Sequence, residues 1–202
     1  MVVLTLLLTQ RADAEQRMAV VGGVGFTFPA IQKDPEAPKV QGVGGYAEAS
    51  YYYRFSDWVR PMVYSGLHIT VPNQDCGHDF LDCDVSAQYF YTGGQVRLIA
   101  PIPYFGLFVE SGVGGSLGRF STHVGDRVNE ELTGFAYHIP VSLGVLLGEH
   151  HEFQLQLRYI YHPDRRQVSG GLGFGFDFRL APSKMEKPLD TSPTFRLQRS
   201  PG

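Results

Sequence analysis

Three side chains in this 202-residue sequence have the types that hydrolysis requires, namely a nucleophile, a base and an orienting acid. Ser142 and His138 lie four residues apart on one face of an extended segment, and Glu110 lies on the polar face of an earlier segment. A serine and a histidine on one strand are common by chance, and their spacing matches no motif of a lipid-modifying enzyme. We therefore expect no enzymatic activity, and we keep a lipid hydrolase or acyltransferase as an alternative.

The second group of reactive residues surrounds the two cysteines, Cys76 and Cys83. It contains four aspartates and one histidine: Asp75, His78, Asp79, Asp82 and Asp84. Such side chains can bind zinc or calcium, but their spacing fits neither a zinc finger nor a twelve-residue calcium loop. In an exported protein the two cysteines are expected to form a disulfide that closes an acidic loop, with a reduced pair as the alternative. No metal or other cofactor is expected.

These residues lie in a chain dominated by alternation of apolar and small or polar residues with a period of two. The last repeat is the clearest, because Leu172, Phe174, Phe176 and Phe178 alternate with three glycines and Asp177. Helical spacing fits none of the repeats. The pattern predicts eight β-strands, at about 19–28, 43–55, 59–71, 90–98, 105–114, 134–145, 152–161 and 171–178.

The connections between these strands alternate in length. Connections 29–41, 72–86 and 121–131 are long, connections 56–58, 101–103 and 148–151 are tight, and 163–167 is intermediate. Long and tight connections alternate when consecutive strands run antiparallel around a barrel, because odd and even connections then lie at opposite ends. The sequence therefore predicts an all-β fold, an eight-stranded antiparallel up-and-down β-barrel.

The two faces of the strands indicate which side of the barrel is outside. Charged residues make up 18% of the chain, below the usual quarter, and there are 24 glycines, 14 phenylalanines and 11 tyrosines. The small, mostly uncharged face suits a narrow lumen, whereas the aromatic and aliphatic face would overfill it. Turned outward, that face forms an apolar belt with an aromatic girdle near each end, as in a transmembrane barrel. A soluble, lipocalin-like ligand-binding barrel with its apolar face inward is the alternative.

Charged residues of both signs fall on the face predicted to line the lumen. Because buried charges must be paired, we expect an internal ion-pair network that fills the barrel. Its second possible role is a gate in a narrow transport pore for small or apolar solutes. The predicted network consists of Glu48, Arg54, Arg60, Arg97, Glu110, Arg158 and Asp177, with Glu152, His68 and His138 on the same face.

From about Met18 to Leu180 the chain resembles the superfamily of small eight-stranded outer-membrane β-barrels, the OmpA-like and OmpX-like barrels. The most specific part of the resemblance is the closing run with Gly173, Phe174, Phe176 and Phe178, which looks like the signal read by the barrel assembly machinery. The resemblance implies location in a Gram-negative outer membrane and contact with the bilayer and lipopolysaccharide. It also implies a structural or surface-interaction role, with an extracellular ligand that the sequence does not identify.

The two ends of the chain differ from the barrel. Residues 1–14 resemble a truncated signal peptide, because an apolar run precedes Ala12-Asp13-Ala14. Residues 15–180 are predicted to form the barrel, and residues 181–202 a disordered periplasmic tail. The net charge of −3 and the lack of a basic stripe argue against nucleic-acid binding.

Overall fold

The computed structural model describes residues 15–29, 42–54, 56, 58–72, 83–102, 104–124 and 129–180. Eight antiparallel strands form a closed barrel in which each strand pairs with the next and the last pairs with the first. The predicted eight-stranded up-and-down barrel is confirmed. The strands are β1 (Glu15–Pro29), β2 (Gly42–Arg54), β3 (Val59–Pro72), β4 (Cys83–Ile102), β5 (Phe105–Val124), β6 (Asn129–Leu147), β7 (Phe153–His162) and β8 (Gln167–Arg179).

The register gives the barrel its stagger. Each residue of one strand is paired with a residue of the next, and these pairs can be traced once around the barrel. The trace starts at Val109 in β5 and comes back to β5 at Arg119, ten residues further along the strand. A stagger of this size tilts the strands by roughly 40° and leaves an interior that side chains alone can fill. Residues on non-adjacent strands can therefore meet across the lumen.

Strands β4, β5 and β6 extend beyond their predicted ends. Cys83 starts β4, Val124 ends β5 and Asn129 starts β6, so the third and fifth connections are shorter than predicted. Toward the loop end the outward-facing residues of these extensions are polar, as at Gln88, Arg119 and Thr133, and this polarity interrupts the hydrophobic alternation on which the prediction depended. Apolar residues still face inward there, as at Val85 and Ala87, which are fully buried.

The apolar face of the strands lies on the outside of the barrel. Val113, Phe135 and Leu117 have 69%, 67% and 61% of their surfaces exposed, and about thirty other large apolar side chains are also exposed. Water does not tolerate a continuous belt of this kind, whereas the hydrocarbon interior of a bilayer favours it. The arrangement is opposite to that of a soluble lipocalin-like barrel, so that alternative is wrong. In the described part of the chain, no helix is long and apolar enough to cross a membrane.

The belt has a defined upper edge at the end of the barrel that carries the odd-numbered connections, here called the loop end. Outward-facing Phe90, Leu117 and Phe135 pair across β4, β5 and β6. Two residues closer to the loop end, the outward-facing residues of the same three strands are polar, namely Gln88, Arg119 and Thr133. At the opposite, tight-turn end, apolar side chains continue to the last strand residues, such as Ile102, Phe105, Leu147 and Phe153. The barrel therefore projects from the belt at one end and is flush with it at the other.

Candidate functional site

The lumen is the part of the molecule where polar and charged groups are concentrated. Its wall contains glycines against which aromatic rings pack: a Cβ atom added at Gly171 would be 2.5 Å from Cε1 of Tyr46, and one added at Gly66 would be 2.6 Å from Cζ of Tyr91. Tyr46 also lies against Gly173 in β8. The sequence indicated small lumen residues, but not that each glycine accommodates a particular ring.

Arg158 of β7 lies at the centre of the lumen. Its Nη2 is 2.8 Å from Oε2 of Glu48, and its Nη1 donates a hydrogen bond of 3.0 Å to Oε1 of the same carboxylate. Nη1 is also 3.9 Å from Oε2 of Glu110. The guanidinium carbon lies 4.9 Å from the ring centre of Tyr64 and 5.6 Å from that of Tyr91. Arg158 thus joins two carboxylates from strands on opposite sides of the barrel.

Arg97 of β4 continues the network toward the tight-turn end. Its Nε donates to Oε1 of Glu110, and its Nη2 donates to Oε1 of Gln154 at 3.0 Å. The guanidinium carbon lies 4.4 Å from the ring centre of Phe108. Gln95 donates to Oε2 of Glu110 at 3.2 Å. Glu110 therefore receives donors from two residues of β4 and lies beside Arg158.

Asp177 of β8 is the carboxylate nearest the tight-turn end. It accepts a hydrogen bond from the hydroxyl of Tyr52, and its Oδ1 is 3.5 Å from Nη1 of Arg17. Arg17 is buried, although the sequence analysis did not select it, because it precedes the first clear alternation. Arg60 is buried next to Tyr52, whereas Arg54 at the end of β2 is partly exposed. The structure does not place Arg54 among the buried charges.

The β6–β7 turn is hydrogen-bonded to residues at the tight-turn end of the lumen. Arg17 Nη1 donates to the backbone oxygen of His150 at 3.2 Å, and the backbone N–H of Asp177 donates to the oxygen of Glu152 at 2.7 Å. Glu152 lies in this turn and not in the lumen, contrary to the prediction. Its own backbone N–H and that of His150 hold the pKa of its carboxyl below the usual value. Buried Ile99, Phe108 and Leu146 form an apolar cluster at the same end.

Toward the loop end the lumen contains histidines and hydroxyl groups. Tyr64 Oη lies 2.7 Å from Nε2 of His138, whose Nδ1 lies 2.9 Å from Oγ of Ser116. Oγ of Ser116 also lies 3.0 Å from Nε2 of His162. Tyr89 stacks on Phe120 with ring centres 5.1 Å apart. This half of the lumen is also filled with side chains.

The three side chains of the hydrolase candidate, Ser142, His138 and Glu110, do not contact one another as a catalytic group would. Ser142 Oγ accepts a hydrogen bond from Arg158 at 3.3 Å, and Glu110 pairs with Arg97. His138 instead contacts Ser116, which sequence reasoning missed because Ser116 lies in a run of glycines with weak alternation. Ser116 and His138 are each 1% exposed, so a lipid substrate cannot reach them in this conformation.

Other predicted site residues lie partly outside the described residues. The disulfide prediction involves Cys76, in the segment 73–82, and Cys83, whose side chain is not described. The acidic residues around them and the segments 1–14 and 181–202 are likewise not described. Within the described ranges, no group of three or more His, Cys, Asp or Glu side chains could hold a metal ion. Phe174, Phe176 and Phe178 of the closing run point outward and are about half exposed, and Gly173 faces inward.

Comparison with known families gave no match to a family model. No curated protein matched the sequence either.

Solved structures do match the fold. Neisserial surface protein A (NspA) shares 12% identity over 82% of this chain and 97% of its own, with a TM-score of 0.56. Ail, the attachment invasion locus protein of Yersinia pestis, shares 17% identity over 82% of this chain and 99% of its own, with a TM-score of 0.44. The outer membrane enzyme PagL shares 12% identity over 82% of this chain and 99% of its own, with a TM-score of 0.42. The chain has the fold of small outer-membrane β-barrels, in agreement with the outer-membrane location expected from the sequence.

Proposed function

We propose that this protein is a Gram-negative outer-membrane β-barrel with a closed lumen, and that it acts through the surface it presents outside the cell. The observation that carries the proposal is the projection of β4, β5 and β6 beyond the apolar belt. Seven residues of β4, 83–89, continue past Phe90. At about 3.3 Å per residue and a tilt of roughly 40°, they rise about 18 Å above the belt.

The outward face of this projection is suited to contact with polar partners. Its outward residues are Ser86, Gln88, Arg119, Ser121, Glu131 and Thr133. Arg119 and Glu131 form an exposed ion pair on this face, with side chains 60% and 46% exposed. A paired β-sheet that extends into water offers a rigid polar surface, and loop-end surfaces of barrels commonly carry function.

The proposed partners of the barrel are the bilayer, lipopolysaccharide and the barrel assembly machinery. The apolar belt contacts the hydrocarbon of the bilayer, and exposed Arg119 and Arg166 at the loop end offer cations to phosphate groups of lipopolysaccharide. The outward row of Phe174, Phe176 and Phe178 in β8 is available to the barrel assembly machinery before the barrel closes. The extracellular ligand is not identified by these features.

Labelling of single cysteines in intact cells tests the surface role. In a variant with both native cysteines changed to serine, Thr133→Cys should react with a membrane-impermeant maleimide, because it lies on the projection. His150→Cys, in the turn at the opposite end, should react only after the outer membrane is permeabilised. Phe135→Cys, in the belt, serves as the lipid-facing control. Labelling of His150→Cys but not of Thr133→Cys in intact cells would contradict the proposed orientation.

Conductance distinguishes a closed lumen from a transport pore. Because Arg158, Glu48 and Glu110 meet across the barrel, we expect no steady conductance from the wild-type protein in planar bilayers. Folding of the same sample is verified by the faster migration of unheated protein on SDS gels. Reproducible conductance steps from folded protein would favour the pore instead.

A further inference from the structure

One buried cation of the lumen has no carboxylate contact among the described residues. Four buried guanidinium groups, Arg17, Arg60, Arg97 and Arg158, lie in the lumen with three buried carboxylates, Glu48, Glu110 and Asp177. The carboxylates lie within ion-pair distance of Arg158, Arg97 and Arg17. In the described part of the chain, Arg60 has no carboxylate within that distance, and a buried charge in that state is costly.

The cation without a carboxylate contact, Arg60, is 2% exposed. Its Nη1 donates a long hydrogen bond of 3.4 Å to the hydroxyl of Tyr52, and its guanidinium carbon lies 5.6 Å from the centre of that ring. Its Nε has no hydrogen-bond acceptor among the described residues. The hydroxyl of Tyr52 itself donates to Asp177, so it offers Arg60 no formal charge.

A second guanidinium group lies beside Arg60. Arg60 and Arg97 are directly paired across β3 and β4, and both point into the lumen. Arg97 is 1% exposed and directs Nε to Glu110 and Nη2 to Gln154, which leaves Nη1 without an acceptor in the described part of the chain. Like charges directly opposite each other in a sheet destabilise it, unless a group of opposite charge lies between them.

From these observations we infer that the lumen binds a small oxyanion, of the phosphate or sulfate class, between Arg60 and Arg97 near the tight-turn end. Guanidinium groups match oxyanions better than they match a halide, because adjacent N–H donors can bind two oxygens of one anion. The anion pairs with Arg60 and accepts hydrogen bonds from Arg60 Nε and Arg97 Nη1. The site is separate from the polar surface at the loop end, so the inference does not depend on the proposed surface role.

The test is refolding into detergent micelles over a range of inorganic phosphate concentrations at constant ionic strength, made up with chloride. Wild-type protein should gain stability in a saturating manner, by about a hundredfold in the folding equilibrium constant when phosphate exceeds its Kd a hundredfold. Arg60→Gln should lose this saturating gain and, without phosphate, should be at least as stable as wild type. Arg119→Gln, at the exposed ion pair, should respond as wild type does.

Two results would overturn the inference. One is an equal response of wild type and Arg60→Gln, which would reflect only the general stabilisation of proteins by phosphate. The other is lower stability of Arg60→Gln in phosphate-free buffer, which would mean that Arg60 is already neutralised by the protein. If Arg60→Gln does not fold, the phosphorus-31 resonance of inorganic phosphate is measured in the presence of the wild-type protein. Saturable broadening of this resonance supports the site, and the absence of broadening excludes it.

Discussion

Replacing Arg158 with methionine is expected to lower the free energy of unfolding by about 3–5 kcal/mol, the cost of removing one partner from a buried ion pair. Methionine keeps much of the length of the side chain, so the main change is the loss of charge. Glu48 loses both of its ion-pair contacts with Arg158, and Glu110 loses a nearby cation. Urea unfolding in micelles, followed by the fluorescence of Trp58, the single tryptophan, measures the change.

Two further variants separate the charge effect from general damage to the barrel. The double variant Arg158→Met/Glu48→Gln should recover part of the lost stability, because it removes the carboxylate left without its partner. Arg119→Met breaks the pair of Arg119 with Glu131, whose side chains are 60% and 46% exposed, and should leave the free energy of unfolding nearly unchanged. A loss below 1 kcal/mol for Arg158→Met would mean that the lumen network contributes little to stability.

The sequence predicted the lumen-facing positions of Arg158, Glu48 and Glu110, but not which residues they contact. Position along a strand gives the face, so the inward positions of Arg158 and Glu48 follow from alternation alone. Their contact depends on the stagger of the whole barrel, because β7 and β2 are separated by two other strands. A pattern within one strand contains no information on that stagger.

Strand ends were predicted well where apolar side chains face outward to the last residue, as in β7 and at the end of β8. The prediction was too short where the outward face becomes polar, as at Gln88 and Arg119, because alternation was judged from outward hydrophobic residues. Ser116 and His162 were missed because each lies one or two residues beyond the predicted end of its strand. Their significance also depends on a third residue, His138, on another strand.

Replacing Gly173 with valine is expected to destabilise the folded barrel by about 1–3 kcal/mol through overpacking. A Cβ atom at this position would overlap the hydroxyl of Tyr46 and lie 2.8 Å from Cγ1 of Val21. The backbone of Gly173 does not have a positive φ, so packing and not backbone strain is the cause. Gly94→Val is the matched control, because Gly94 faces outward and has no heavy atom within 4 Å of the added Cβ.

The same substitution distinguishes packing from a role of Gly173 in the assembly signal. If packing dominates, Gly173→Val should unfold at lower urea after refolding in micelles, and Tyr46→Ala in the same chain should offset part of the loss, because the ring is the group displaced. If Gly173 acts in assembly alone, the purified variant should be as stable as Gly94→Val, while its level in the outer membrane of cells falls. Lumen packing predicts the first result, since the ring of Tyr46 lies against both Gly171 and Gly173 and has no space to move outward through β8.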